Sequence, residues 1–214
     1  MVDLIVFIST LLIWYMAACI PLVIHEFGHY SAARHCLWPV SHVVIGSGPH
    51  LFSIRLPAHA PWHVRLFPIR AAVFVPMAAI RSGTIWQQVR YFSAGSLYNI
   101  GSSLLLFSAS IALTSKGTES IAADMLRSIF TDNYLRIMMA SFGDQYFPKF
   151  LWLAGLISFC IGAINLLPVG PLDGMQVVLS LIERLRKRAL SQRARISLQI
   201  ASLAAAGIIG FFFV

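Results

Sequence analysis

Ile20-Pro21-Leu22-Val23-Ile24-His25-Glu26-Phe27-Gly28-His29-Tyr30 joins an uncharged run to two histidines and a glutamate. Residues 4–24 carry no ionisable charge, and as a helix those 21 residues measure about 32 Å, enough to cross the hydrocarbon of a bilayer. On a helix, positions i and i+4 share a face, so His25 and His29 can offer both imidazoles to one metal ion. Glu26 lies one position round, placed to hold a water and take its proton. Zinc suits this set: two neutral nitrogens and a carboxylate from elsewhere leave a fourth position for water, whose pKa then falls to about 7. The run has no basic n-region and no Ala-x-Ala cleavage site, so it reads as a retained span, with Pro21 expected to kink it just before the motif.

The rest of the chain has the composition of a membrane protein. It is 58% hydrophobic and only 11% charged, where a soluble domain averages about 25%. Its 214 residues suit one unit built around spanning segments, 1–214 as a single domain. The net charge of +8 would suit nucleic acid, but its distribution points to membrane topology instead and no nucleic-acid partner is expected. Cys19, Cys36 and Cys160 are scattered and odd in number, and read as small apolar packing residues.

Residues 31–90 contain six arginines and no acid. Val40–Ile45, Leu51–Leu56, Val64–Ile69 and Ala72–Val75 are β-prone runs punctuated by Gly46-Ser47-Gly48-Pro49, Pro57–Pro61 and Pro68. They predict a small re-entrant or interfacial β-sheet over about 38–80, whose edge can receive an extended peptide by strand addition. Residues 91–115 predict a second span, with small residues suited to close helix approach and a buried amide, Asn99, that faces the metal site or bonds a neighbouring helix. The loop 116–149 holds four basic and four acidic residues and a helix-like stretch around Ile121–Met139, a lid or a connector. A third span, from Phe150, ends at Asn165-Leu166-Leu167-Pro168-Val169-Gly170-Pro171-Leu172-Asp173-Gly174, where two prolines and two glycines cannot sustain a helix. Asp173 closes that uncharged run and is a functional candidate by default. Residues 196–214 form a minimal fourth span. The predicted class is thus a polytopic α-helical membrane protein of about four spans (4–30, 91–115, 150–173, 196–214).

Twelve of the sixteen Lys and Arg fall in the first and third connections, six in each. The positive-inside rule puts those connections in the cytoplasm, with both termini and the 116–149 loop outside. Spans one and three then run in the same direction, and His25, His29 and Asp173 reach one depth near the cytoplasmic face. His35 would complete an extended HExxHxxGxxH motif but for Ala32 in place of its Gly; the helix can continue through Ala32 and carry His35 round to another face. A third ligand from a Glu-x-x-x-Asp helix fails, since neither Glu119 nor Glu183 has the Asp. His42, His50, His59 and His63 lack paired spacing and default to surface roles.

HEFGH at the end of a first span, Gly95-x-x-x-Asn99 in a second and Asn165-x-x-Pro168-x-x-x-x-Asp173-Gly174 in a third resemble the site-2 protease family of intramembrane zinc metalloproteases. Val44–Ser53 is similar to the glycine-rich hairpin that follows the family's first motif. The resemblance implies one catalytic zinc held by His25, His29 and Asp173, Glu26 as catalytic acid/base, and Asn165 on the substrate, with Asn99 as a second substrate-side candidate. It implies partners that are transmembrane segments of membrane proteins, or remnant signal peptides, within the lipid bilayer, here of the bacterial inner membrane. The 34 residues of the 116–149 loop are too few for the family's PDZ domain, and no CBS domain follows, so a minimal four-span member is expected. Two rivals are a catalytically silent metal-binding scaffold or chaperone, which would want a fourth protein ligand, and a metal transporter, which would want ionisable residues along several spans, where spans two and four have none.

Overall fold

A single long helix, α1 (Val2–His35), carries the histidine motif in its last third. The computed structural model describes residues 2–55, 57–113 and 146–213, so the stretch around Ile121–Met139 lies outside the described residues. Strands β1 (His42–Ile54) and β2 (Trp62–Phe74) follow, then a short α2 (Met77–Ser82) and α3 (Ile85–Ala112). After the connection come α4 (Tyr146–Asn165), α5 (Asp173–Arg186) and α6 (Gln192–Phe213). The protein is therefore mostly helical, with one two-stranded antiparallel sheet.

Two helical segments, Leu11–His35 and Phe147–Asn165, are long and apolar enough to cross a membrane. α3 has the length but a less apolar character, since it carries six serines. Beside an apolar interior that includes Trp38, Phe92, Leu153 and Leu179, small and polar side chains are also buried along the helices and large apolar ones exposed. Ala17, Ala33, Ala154, Ser96, Asn99, Ser103 and Ser158 are buried, while Leu12, Leu97, Leu104, Leu105 and Ile200 are exposed. Small and polar groups inside, large apolar groups outside, is the packing expected where lipid, not water, surrounds the helices.

Local structure departs from the sequence reading in three places, each with a physical cause. The four β-prone runs merge into two long strands. Gly46 and Gly48, at φ +89° and +78°, bend β1 instead of ending it, and Val43 stands opposite Val73 on one side and Trp62 on the other. α3 starts six residues before 91, because Thr84 and Gln87 form a capping box: Thr84 Oγ1 accepts from the Gln87 N–H at 3.2 Å, and Gln87 Oε1 from the Thr84 N–H at 2.8 Å. Residues 173–186, read only as a basic connection, form the amphipathic helix α5, burying Met175 and Leu179 against Leu190. Two cysteines are half-buried as expected, but Cys160 is exposed on α4.

α1 packs on α3 and α4, and its end meets both strands. The α1–α3 crossing is close because Gly28 faces Gly95. A Cβ on Gly28 would stand 2.7 Å from the Ala94 carbonyl oxygen and 2.9 Å from Gly95 Cα, both rigid backbone atoms. Gly28→Ala should therefore push the helices apart and destabilise the protein by about 1–3 kcal/mol. A lowered midpoint of thermal unfolding in detergent checks this, and an unchanged midpoint would contradict it.

Candidate metal centre

α1 presents His25 and His29 one turn apart, and both are buried. The third group arrives from 144 residues further along the chain. α4 ends at Asn165, residues 166–172 turn without helix, and Asp173 opens α5. Gly174 lets that turn fold back, since a Cβ there would collide with the Leu166 carbonyl and lie 2.6 Å from the Leu167 oxygen. Asp173 Oδ2 lies 3.1 Å from His25 Nε2 and 3.2 Å from His29 Nε2, and the two Nε2 atoms are 3.2 Å apart. Three atoms from two distant stretches thus form a nearly equilateral triangle.

The outer nitrogens settle which atoms are free to bind. His29 Nδ1–H donates to the Tyr91 carbonyl at 2.8 Å, so in the neutral ring Nε2 carries the lone pair. His25 Nδ1 faces the Asn99 amide at 3.3 Å. With the Asn99 oxygen turned to the ring, Nδ1–H has its acceptor and Nε2 is again a lone pair; this also gives a partner to Asn99 Oδ1, otherwise buried without one. The triangle then consists of three acceptors facing one another, an arrangement stabilised by a cation or a proton between them. A tetrahedral zinc with ligand bonds of about 2.0–2.1 Å separates its ligand atoms by about 3.4 Å, so the residues present fit it and leave one position open. Among the described residues this is the one set of three or more His, Cys, Asp or Glu side chains spaced to hold a metal ion.

Glu26 is buried beside the triangle, within electrostatic reach of His29, His25 and Asp173. The backbone amide of Val73 on β2 comes within hydrogen-bonding reach of its carboxylate. Phe74 turns its carbonyl toward β1, accepting from the Ser41 N–H at 2.9 Å. Backbone groups of successive strand residues alternate sides, so the Val73 N–H turns away from β1 and toward Glu26.

The sequence-predicted residues separate into groups. His25, His29, Asp173 and Glu26 come together. Asn99 is fully buried, with its side-chain amide 3.3 Å from His25 Nδ1. Asn165 is half-buried at the last turn of α4. His35 is exposed at the end of α1, outside the cluster, because the helix does continue through Ala32. His59 is exposed, and its Nδ1 pairs with the Tyr30 hydroxyl at 2.8 Å. The contribution of Tyr91 escaped the sequence reading, since it acts through its backbone carbonyl and no side-chain pattern reports it.

The sequence profile of Peptidase family M50 matches residues 14–208. The chain belongs to that family. A 46-residue segment is 44% identical to a protein of Lactococcus lactis subsp. lactis (strain IL1403) named “Putative zinc metalloprotease LL2128”. That segment is 22% of this chain and 11% of the relative, so the chain spans only a small part of the relative's length. The family is one of peptidases, and His25, His29 and Asp173 are placed where three side chains could hold one metal ion.

Gly95 supplies a test of that geometry. A Cβ there would collide with His29 Nε2 and stand 2.7 Å from His25 Nε2. Gly95→Ala should displace both imidazoles and weaken zinc binding by at least about tenfold, comparable to losing a supporting contact of a ligand. Competition with a chromophoric chelator measures it, and wild-type affinity would show that the rings are not where they are described.

Proposed function

We propose that this chain is a zinc-dependent intramembrane endopeptidase, cleaving peptide bonds within or near transmembrane segments of membrane proteins. The observation that carries the reading is the meeting of His25, His29 and Asp173 as three acceptor atoms 3.1–3.2 Å apart, with buried Glu26 alongside. A structural zinc normally takes four protein ligands, and among the described residues this set has three. The open position and the neighbouring carboxylate favour a peptidase over a metal-stabilised scaffold.

When bound, zinc would supply a Lewis acid and a water made acidic enough to lose its proton near neutral pH. Glu26 would serve as general base toward the attacking water and then as general acid toward the leaving amine. His25 and His29 keep their orientation through Asn99 and the Tyr91 carbonyl, so Asn99 acts on His25 as a positioning residue. Burial of the site limits competing water. A substrate helix has its carbonyls tied in helical hydrogen bonds and must unwind locally; the open edge of β2 at Val73 offers backbone partners for the extended form. Asn165, beside the unwound turn that delivers Asp173, would pair with the same stretch of substrate.

In this reading α1, α3, α4 and α6 are four spans, and the arginine-rich connections lie in the cytoplasm. Both termini are then extracytoplasmic and the metal centre sits toward the cytoplasmic face of a bacterial inner membrane. Single-span regulators and remnant signal peptides are the substrate class that suits such a site.

Two measurements test this. Zinc per molecule should be about one in the detergent-purified wild type and fall sharply in both His25→Ala and Asp173→Ala; retention by the Asp173 variant would break the ligand set. Glu26→Gln should keep its zinc yet lose at least about 100-fold in turnover of a transmembrane substrate, and near-wild-type cleavage would remove Glu26 as the base.

A further inference from the structure

A second concave site lies apart from the metal centre, where the far end of α5 meets the start of α3. It is a cleft of about 490 Å³ whose lining includes Arg81, Gln88, Arg184, Lys187 and Arg188. Its volume falls in the range of small-ligand sites. We propose that this cleft binds the phosphate of an anion, with the headgroup of an anionic phospholipid as its principal source.

The charge balance is the first argument. Glu183 is the one acid among the lining residues, and it is already engaged. Its Oε1 accepts from Arg195 at 2.7 Å and from the Leu190 N–H at 3.0 Å, with Arg81 at 3.6 Å. Arg184, Lys187 and Arg188 have no acidic partner among the described residues. Three unpaired cations around one concavity repel each other unless an anion joins them, and arginine's planar fork suits phosphate oxygens.

Backbone conformation is the second. Lys187 caps α5 with φ 52° and ψ 22°, the left-handed position that glycine ordinarily fills. A lysine there accepts backbone strain at a place where its charge lines the cleft.

The third argument concerns the source of the phosphate. Trp86, next to the lining residue Ile85, is 77% exposed, and Leu185, next to Arg184, is 83% exposed. A bare indole and a bare leucine flanking a basic cleft belong at a membrane surface, where tryptophan sits at headgroup level and basic pockets hold anionic lipid. A soluble phosphate compound would use the same cations without needing those two side chains.

The test uses the full chain in nanodiscs of phosphatidylcholine alone or with phosphatidylglycerol, and separately in detergent with inorganic pyrophosphate. Lipid retained on release is counted by native mass spectrometry, and pyrophosphate binding by the shift of the unfolding midpoint. Phosphatidylglycerol should be retained by wild type and lowered by at least about tenfold in Lys187→Glu/Arg188→Glu, both exposed positions. Arg193→Glu, the same charge change at an exposed residue outside the cleft lining, should leave retention unchanged. Pyrophosphate binding that depends on Lys187 and Arg188, without lipid retention, would keep the phosphate site and overturn its lipid source. Equal losses in the cleft and Arg193 variants would reduce the effect to general surface charge and overturn the site. Binding of neither probe would overturn it as well.

Discussion

Three electron-pair donors, His25 Nε2, His29 Nε2 and Asp173 Oδ2, face one another across 3.1–3.2 Å in a buried setting, and much of the molecule serves to hold them there. Like partial charges at that distance, away from water, are unfavourable unless a cation or protons lie between them. The constraint explains the breaks around it. α4 stops at Asn165, the chain turns without helix, and a new helix begins on the aspartate itself, where a helix N-terminus favours its negative charge. It also explains why both outer nitrogens of the imidazoles are engaged: a ligand free to rotate would lose the common focus.

Holding helices close enough for that focus falls to small residues. Gly28 lies on Gly95, and Gly95 in turn lies against both imidazoles, so one pair of glycines sets the α1–α3 distance and clears space for the rings. On the other side of α3, Gly162 of α4 approaches the Ser96 carbonyl; a Cβ there would stand 2.8 Å from it. Ser158 Oγ donates to the Asn99 carbonyl at 3.1 Å, tying α4 to the residue that faces His25. In lipid there is little hydrophobic gain from bringing helices together, so contact area and such polar ties carry the association.

The hairpin has a different relation to the centre. Tyr30, Val43 and Ile45 form its own small apolar cluster against the end of α1, which fixes β2 beside Glu26. A strand edge is unfinished hydrogen bonding, normally a liability that proteins cover. Here β2 comes up against Glu26 at Val73, and under the proposed function its backbone would offer partners to an extended peptide.

Much of the centre was legible in the chain. The i, i+4 spacing of His25 and His29, the carboxylate between them, and Asp173 after a run too rich in proline and glycine for helix all depend on local geometry, which sequence encodes directly. The first and third helices were legible because uncharged runs of about 20 residues have few other readings. Local chemistry also held signals that were passed over: Thr84 and Gln87 announce the true start of α3, and the spacing of Met175, Leu179 and Ile182 announces α5. What the sequence by itself determined was which side chains could bind and roughly where along the chain the helices that carry them end. Only the tertiary structure decided that Asp173 meets the histidines, that Asn99 faces His25, and that a backbone carbonyl of Tyr91 fixes His29. Those are contacts between residues 62 to 148 positions apart. They follow from how closely helices pack, a property of pairs of surfaces that no single stretch of chain carries.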